Sequence, residues 1–108
     1  MPPILPTPIA KYFEAKNAHD IDAMLAVFAE QASVRDEGHD MVGRLAIRAW
    51  MEETTRKYRV TVAPTAIDRS AAQEIVTASV SGTFPGSPVV LRYRFTIAGE
   101  KITHLEIG

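Results

Sequence analysis

YFEAKNAHDIDAMLAVFAEQASVRDEG, residues 12–38, changes its hydrophobic period part-way along. Up to Phe28 the apolar residues recur at helical spacing, with a break at Asn17-Ala18-His19-Asp20. From Ser33 to Glu37 they alternate as in a short strand that ends in a turn at Gly38. Asp20 precedes Met24, Leu25, Val27 and Phe28, so it reads as the cap of a second short helix, with Asp22 as the acid of its first turn.

Upstream, Thr7-Pro8 reads as an N-cap followed by proline at the first helical position, where its missing N–H costs nothing. Ile9, Tyr12 and Phe13, with Lys16 at the edge, then share one face to about Ala18. Downstream, Gly43 opens a third helix over residues 44–58, with Ile47, Trp50, Met51, Thr54 and Tyr58 along one stripe. From Arg59 the period becomes two. Val60 and Val62 begin it, Val76, Ala78, Val80, Gly82 and Phe84 continue it, and residues 84–88 make a turn. Val89, Leu91, Tyr93, Phe95 and Ile97 alternate next, and Leu105 and Ile107 follow the turn at residues 98–100. Helices followed by three or four antiparallel strands is the α+β pattern. One sheet face is apolar and must be covered by the helices. The other carries Thr, Ser, Arg, His and Glu.

The 108 residues form one domain, with a Pro-rich tail at residues 1–6 and no internal repeat. Twelve Lys and Arg against thirteen Asp and Glu, without a basic stripe, argue against nucleic acid. The absence of cysteine removes disulfides, thiolate nucleophiles and Cys-ligated zinc. The longest apolar run, Ala23 to Ala29, is far short of the ~20 residues of a membrane span. The start MPPILPTP lacks the charged segment of a signal peptide, so the expected location is the cytoplasm.

Asp36 is the first candidate for chemistry. If Val34 points into the core, a period of two sends Asp36 the same way, to the mouth of an apolar pocket where desolvation raises a carboxyl towards the range of a useful base. The alternative is a turn aspartate bonded to the amides at Glu37 and Gly38. Tyr12 is the second: a ring buried beside Phe13 whose hydroxyl needs a partner, or a core-edge tyrosine with its tip in water. His39 can reach back over a pocket mouth as an acid or base. The acidic run 36–40 lacks the spacing of a metal site, since adjacent turn residues diverge and no second histidine lies near. None of the five serines sits in GxSxG, and no glycine-rich phosphate loop is present. Trp50, Met51 and Tyr58 read as core or pocket wall.

Residues 12–38, with GRLAIRAW at 43–50 and RYRFTIAGEKITHLEI at 92–107, resemble the SnoaL-like and ketosteroid-isomerase-like branch of the nuclear transport factor 2 (NTF2-like) superfamily. The resemblance implies a cone of three helices wrapped by a curved, mostly antiparallel sheet around an apolar pocket, and a homodimer through the outer sheet face. From the isomerases, whose tuned base and oxyanion donor are a general example of pKa control, it implies Asp36 as general base and Tyr12 as oxyanion donor. Leu91 stands where those isomerases keep a second, protonated acid. The paired aspartates of the epoxide-hydrolase relatives are absent between Val89 and Ala98. The expectation is a small-molecule enzyme without metal or organic cofactor. It abstracts a proton next to a carbonyl of an apolar or polycyclic ligand, in a pocket lined by Trp50, Tyr58, Phe84, Leu91, Tyr93 and His39. The alternative is a non-catalytic module that binds a hydrophobic ligand or dimerises.

Overall fold

Pro6, rather than Thr7, caps the first helix, α1 (Thr7–Asn17). The backbone at Pro6 is extended, and its carbonyl already accepts the Ala10 amide at 2.9 Å. Thr7 is therefore inside the helix and makes no cap bond. The computed structural model describes residues 3–108, so the first two residues of the expected tail lie outside the described residues. Leu5 packs on the core, while Ile4 is exposed. Asp20 acts as expected: its carboxylate accepts the Ala23 amide at 3.1 Å and opens α2 (Ile21–Ala26). The linking segment is tied down by Asn17, whose side chain exchanges two hydrogen bonds with the Val62 backbone, at 2.9 and 2.7 Å.

The first strand, β1 (Phe28–Asp36), begins earlier than residue 33, because Glu30 and Gln31 interrupt the apolar alternation without interrupting the strand. Glu37 and Gly38 both have positive φ, 52° and 76°, which is the two-residue turn that matches strand twist. The turn leads into β2 (His39–Val42), an edge strand with almost no buried residue and hence no apolar alternation to read. The third helix, α3 (Arg44–Tyr58), follows as expected. An Arg48–Asp22 ion pair joins it to α2.

Four strands complete the sheet: β3 (Thr61–Ser70), β4 (Gln73–Ser81), β5 (Val89–Ala98) and β6 (Lys101–Ile107). Most of β3 is invisible to periodicity because it is the opposite edge, mostly exposed and interrupted at Pro64, where the register shifts. The order across the sheet is β2-β1-β6-β5-β4-β3. All neighbours are antiparallel except β1 and β6, which run parallel.

The three helices cover one sheet face, where Val34, Val76, Ala78, Phe95, Ile102 and Leu105 are buried against Ile9, Tyr12, Phe13, Ile47 and Met51. Tyr12 packs edge-on against Phe13, Phe28 and Phe95, with centroids 5.3, 5.8 and 5.7 Å away. Fully buried aromatics of this kind contribute about 2–3 kcal/mol each by area, so this end of the core is closed. The other end is held apart: Gly82 lets β4 run directly beneath the end of α3. A Cβ at Gly82 would lie 2.5 Å from the Tyr58 carbonyl oxygen, and the Thr83 amide bonds that oxygen at 2.8 Å. Among the described residues no helix is long and apolar enough to cross a membrane.

Candidate active site

Between the C-terminal ends of α1 and α3 and the open end of the sheet lies a cavity of about 510 Å³. Its wall is mostly apolar: Trp50, Tyr58, Val60, Val80, Phe84, Val89, Leu91, Tyr93 and Ile107 line it. Two charged side chains reach into it from opposite layers, Asp36 from the end of β1 and Lys16 from the last turn of α1. Glu37 stands at the rim, 3.5 Å from the Tyr58 hydroxyl that donates to it.

Alternation along β1 puts Asp36 on the face of Ala32 and Val34, both fully buried. The Trp50 indole Nε1–H, coming from α3, donates to Asp36 Oδ2 at 3.1 Å. Burial raises the Asp36 carboxyl above its ordinary range, and the neighbouring Glu37 adds to the rise. The Trp50 hydrogen bond, the positive charge of Lys16 and the Glu37 amide oppose it without cancelling it. The carboxyl is therefore bonded to more than its own turn, and it faces the cavity.

Lys16 is only 8% exposed. Its ammonium sits over the Tyr12 and Trp50 rings, 5.8 and 5.9 Å from their centroids. Burial pushes the amine down to about 8, although the nearby Asp36 charge pulls the other way. A carboxyl driven up holds its proton more readily and an amine driven down releases one more readily, which suits both to proton exchange. Tyr93, also on the wall, is raised by burial and by Asp36 and stays protonated.

The expected pocket residues Trp50, Tyr58, Phe84, Leu91 and Tyr93 all line the cavity. Leu91 is an apolar wall residue and brings no second acid. Tyr12 and His39 lie elsewhere. Tyr12 is fully enclosed and absent from the cavity wall; its hydroxyl has no hydrogen-bond partner among the described residues, and burial raises its pKa well above the ordinary value. The reason is helical pitch, since Lys16 is one turn further on, about 6 Å along the axis, and that turn spans the step from closed core to cavity. His39 is exposed, because β2 is the edge strand, beyond the helices that roof the cavity.

Lys16 is the residue that sequence reasoning passed over. The signal was present: a lysine four positions after Tyr12 and three after Phe13, on the face that packs inward. No cluster of His, Asp or Glu able to hold a metal ion occurs among the described residues.

Residues 9–105 match the model of the SnoaL-like domain. The chain belongs to the SnoaL-like domain family. A search of curated proteins finds no match. Among solved structures, a candidate polyketide cyclase from Sinorhizobium meliloti is 38% identical, with a TM-score of 0.92 over 96% of this chain and 95% of its own. A protein of ketosteroid isomerase-like fold from Catenulispora acidiphila, in complex with trimethylamine, is 22% identical, with a TM-score of 0.84 over 97% and 86%. The epoxide hydrolase/cyclase-like enzyme SalBIII, of pyran ring formation in the polyether salinomycin, is also 22% identical, with a TM-score of 0.80 over 94% and 86%. The two more distant likenesses show the NTF2-like fold. The first adds close agreement in sequence over almost the whole SnoaL-like chain.

Proposed function

We propose that this SnoaL-like protein is a small-molecule enzyme that abstracts a proton next to a carbonyl group, as an isomerase, cyclase or lyase does. The observation that carries this reading is the Asp36 carboxyl, held at 3.1 Å by the Trp50 indole inside an apolar cavity that it shares with Lys16. In its ionised form Asp36 takes the proton. The Trp50 N–H fixes which oxygen is free to do so, and Lys16 lies where a cation stabilises the negative charge that develops on the substrate oxygen. The phenol of Tyr93, kept neutral by burial, remains able to donate a hydrogen bond. The cavity is of small-molecule size. The candidate polyketide cyclase among the solved structures agrees with a substrate rich in carbonyl groups.

A general carbon acid tests the reading before a substrate is known. Nitrobenzisoxazole is planar and apolar, and loss of its one acidic C–H opens the ring to a coloured phenolate. The protein is expected to accelerate ring opening, and Asp36→Asn to remove the acceleration. Binding of the probe without acceleration would favour the non-catalytic ligand-binding module.

We also propose a homodimer through the outer sheet face. Thr77, Ser79, Arg92, Arg94, His104 and Glu106 lie on it, and Glu106 stands in register between Arg35 and Arg94, so a two-fold partner meets mixed charge rather than one sign. Light scattering at micromolar concentration is expected to give twice the chain mass, and a monomer refutes the arrangement.

A further inference from the structure

Lys16 has surroundings that a structural lysine does not need. Three of the four lysines are exposed: Lys11, Lys57, which lies over the Tyr58 ring at 5.1 Å, and Lys101, which donates to the Ala26 carbonyl at 2.6 Å. Lys16 alone is buried, and it forms no ion pair among the described residues. It reaches the cavity instead, between two aromatic rings and facing the layer that carries Asp36. Taking an ammonium out of water without a paired carboxylate is unfavourable, and a chain has no packing reason to choose Lys over Met at such a position. An amine held in an apolar pocket is, however, the arrangement that makes lysine a nucleophile.

We infer that Lys16 forms a covalent imine with an aldehyde or ketone bound in the cavity, and that Asp36 carries the protons of that step. The Nζ lone pair adds to the carbonyl carbon while the C=O π pair moves to oxygen. The two protons lost by nitrogen end on that oxygen, which leaves as water, and a C=N bond remains. Asp36, as a carboxylic acid, delivers a proton to the departing oxygen and is reset by the proton from nitrogen. Protonated, the C=N group withdraws electrons more strongly than the original carbonyl. Asp36 as carboxylate then removes the adjacent C–H proton to give an enamine and returns it to the same or a conjugated carbon, which restores the C=N bond, and water added to the C=N carbon releases product and amine. This deepens the proton-abstraction reading and rests on it for the second use of Asp36. The imine itself rests only on Lys16 and the cavity.

The depressed basicity supports the assignment. With a pKa of about 8, roughly a quarter of Lys16 is neutral at pH 7.5, against about a thousandth of an ordinary lysine. The weaker nucleophilicity of a less basic amine offsets part of this ~200-fold difference, leaving a preference of at least about ten-fold.

The test uses naphthaldehyde, an apolar aldehyde of a size to enter the cavity, with cyanoborohydride to reduce any imine to a stable amine. Intact mass counts the adducts, and peptide mapping places them. Trp50, the only tryptophan, lies on the cavity wall and reports binding by its fluorescence. The expected result is one lysine adduct per chain, on Lys16, formed at least about ten-fold faster than on any other lysine. In Lys16→Met the adduct is lost while quenching of Trp50 persists, which shows that the cavity is intact. In Asp36→Asn the adduct still forms, but more slowly. Absence of an adduct on Lys16, with or without quenching, overturns the inference, and so does labelling spread over Lys11, Lys57 and Lys101. Nitrobenzisoxazole has no carbonyl, so its ring opening reports Asp36 independently, and either reading can fail alone.

Discussion

Replacing Lys16 by methionine is expected to make the protein more stable at neutral pH, against the usual direction for a substitution at a buried site. The side chain is 8% exposed, and its amine falls from an ordinary 10.5 to about 8 in the folded protein. That difference of about 2.5 units, at ~1.4 kcal/mol per unit, is roughly 3 kcal/mol of folding free energy spent on keeping the amine charged below pH 8. Methionine keeps the length and apolar stem and removes the charge. Asp36 loses its nearby cation in the variant, which takes back part of the gain and leaves about 2 kcal/mol, or ~9 °C in melting temperature for a chain of this length. The sign follows from proton binding. The folded amine is the weaker base, so between pH 8 and 10.5 the unfolded chain binds more protons, and wild-type stability rises with pH through that window. The variant lacks this rise, so the gap between the two proteins is widest at pH 7 and narrows towards pH 10. Tyr12 and Tyr93 are raised above the ordinary phenol value, so both proteins lose stability as pH approaches 10, and this loss cancels in the gap between them. Thermal melts at fixed ionic strength between pH 6 and 10 measure the gap. A variant less stable than wild type at pH 7, or a gap that stays constant with pH, refutes the argument that Lys16 is a buried, unpaired cation.

Asp36→Asn is expected to raise the melting temperature at pH 7 and to abolish nitrobenzisoxazole opening. The folded carboxyl is raised above its ordinary value of 3.8, so the folded state binds more protons just above that pH and wild-type stability falls as pH rises through the window. Melts at pH 3 and pH 7 check the sign, and the two proteins should differ only at the higher pH. Trp50→Phe removes the one side-chain donor to Asp36 among the described residues, worth ~1.5 kcal/mol to the carboxylate, and should move the acidic limb of the pH–rate profile up by about one unit. An unmoved limb excludes Trp50 as the group that positions the base. Tyr12→Phe deletes a buried hydroxyl that has no partner among the described residues, so a gain of about 1 kcal/mol in urea unfolding is expected, with nitrobenzisoxazole opening unchanged. A large loss of activity would return Tyr12 to the role of oxyanion donor.

The helices and the inner face of the central strands were readable because burial writes a period into the chain. Ile9, Tyr12 and Phe13, and then Val76, Ala78 and Val80, show it plainly. Strand β2 and the part of β3 beyond Val62 were missed for the same reason, since both lie at edges with little buried surface and so carry no period. The inward aim of Asp36 followed from its parity with Val34, whereas the misplacement of Tyr12 came from treating one helical face as a single environment. Along α1 that face passes from a closed aromatic cluster at Tyr12 to an open cavity at Lys16, and only the tertiary packing fixes where the change occurs. Spacing alone made Lys16 a marginal member of the apolar stripe. It is the enclosure by Trp50, and the electrostatic reach of Asp36, that set it apart.

The parallel pairing of β1 with β6 has a consequence for the order in which the molecule is made. Val34 lies beside Leu105, Ser33 Oγ meets His104 Nδ1 at 2.7 Å, and the Ile102 amide bonds the Val27 carbonyl at 2.8 Å. The strand that aims Asp36 therefore has its inner neighbour at the far end of the chain, and until that neighbour is synthesised β1 has only the short edge strand β2 to pair with. Loop closure over so long a separation is slow and comes late. During translation the helices and the β3–β4–β5 meander can assemble first, but the base and the amine meet across a formed cavity only once the last strand has left the ribosome and inserted between β1 and β5. Chains that stall before residue 101 would thus expose the apolar interior without acquiring the site, and they should be cleared by proteolysis rather than accumulate as a partly active species.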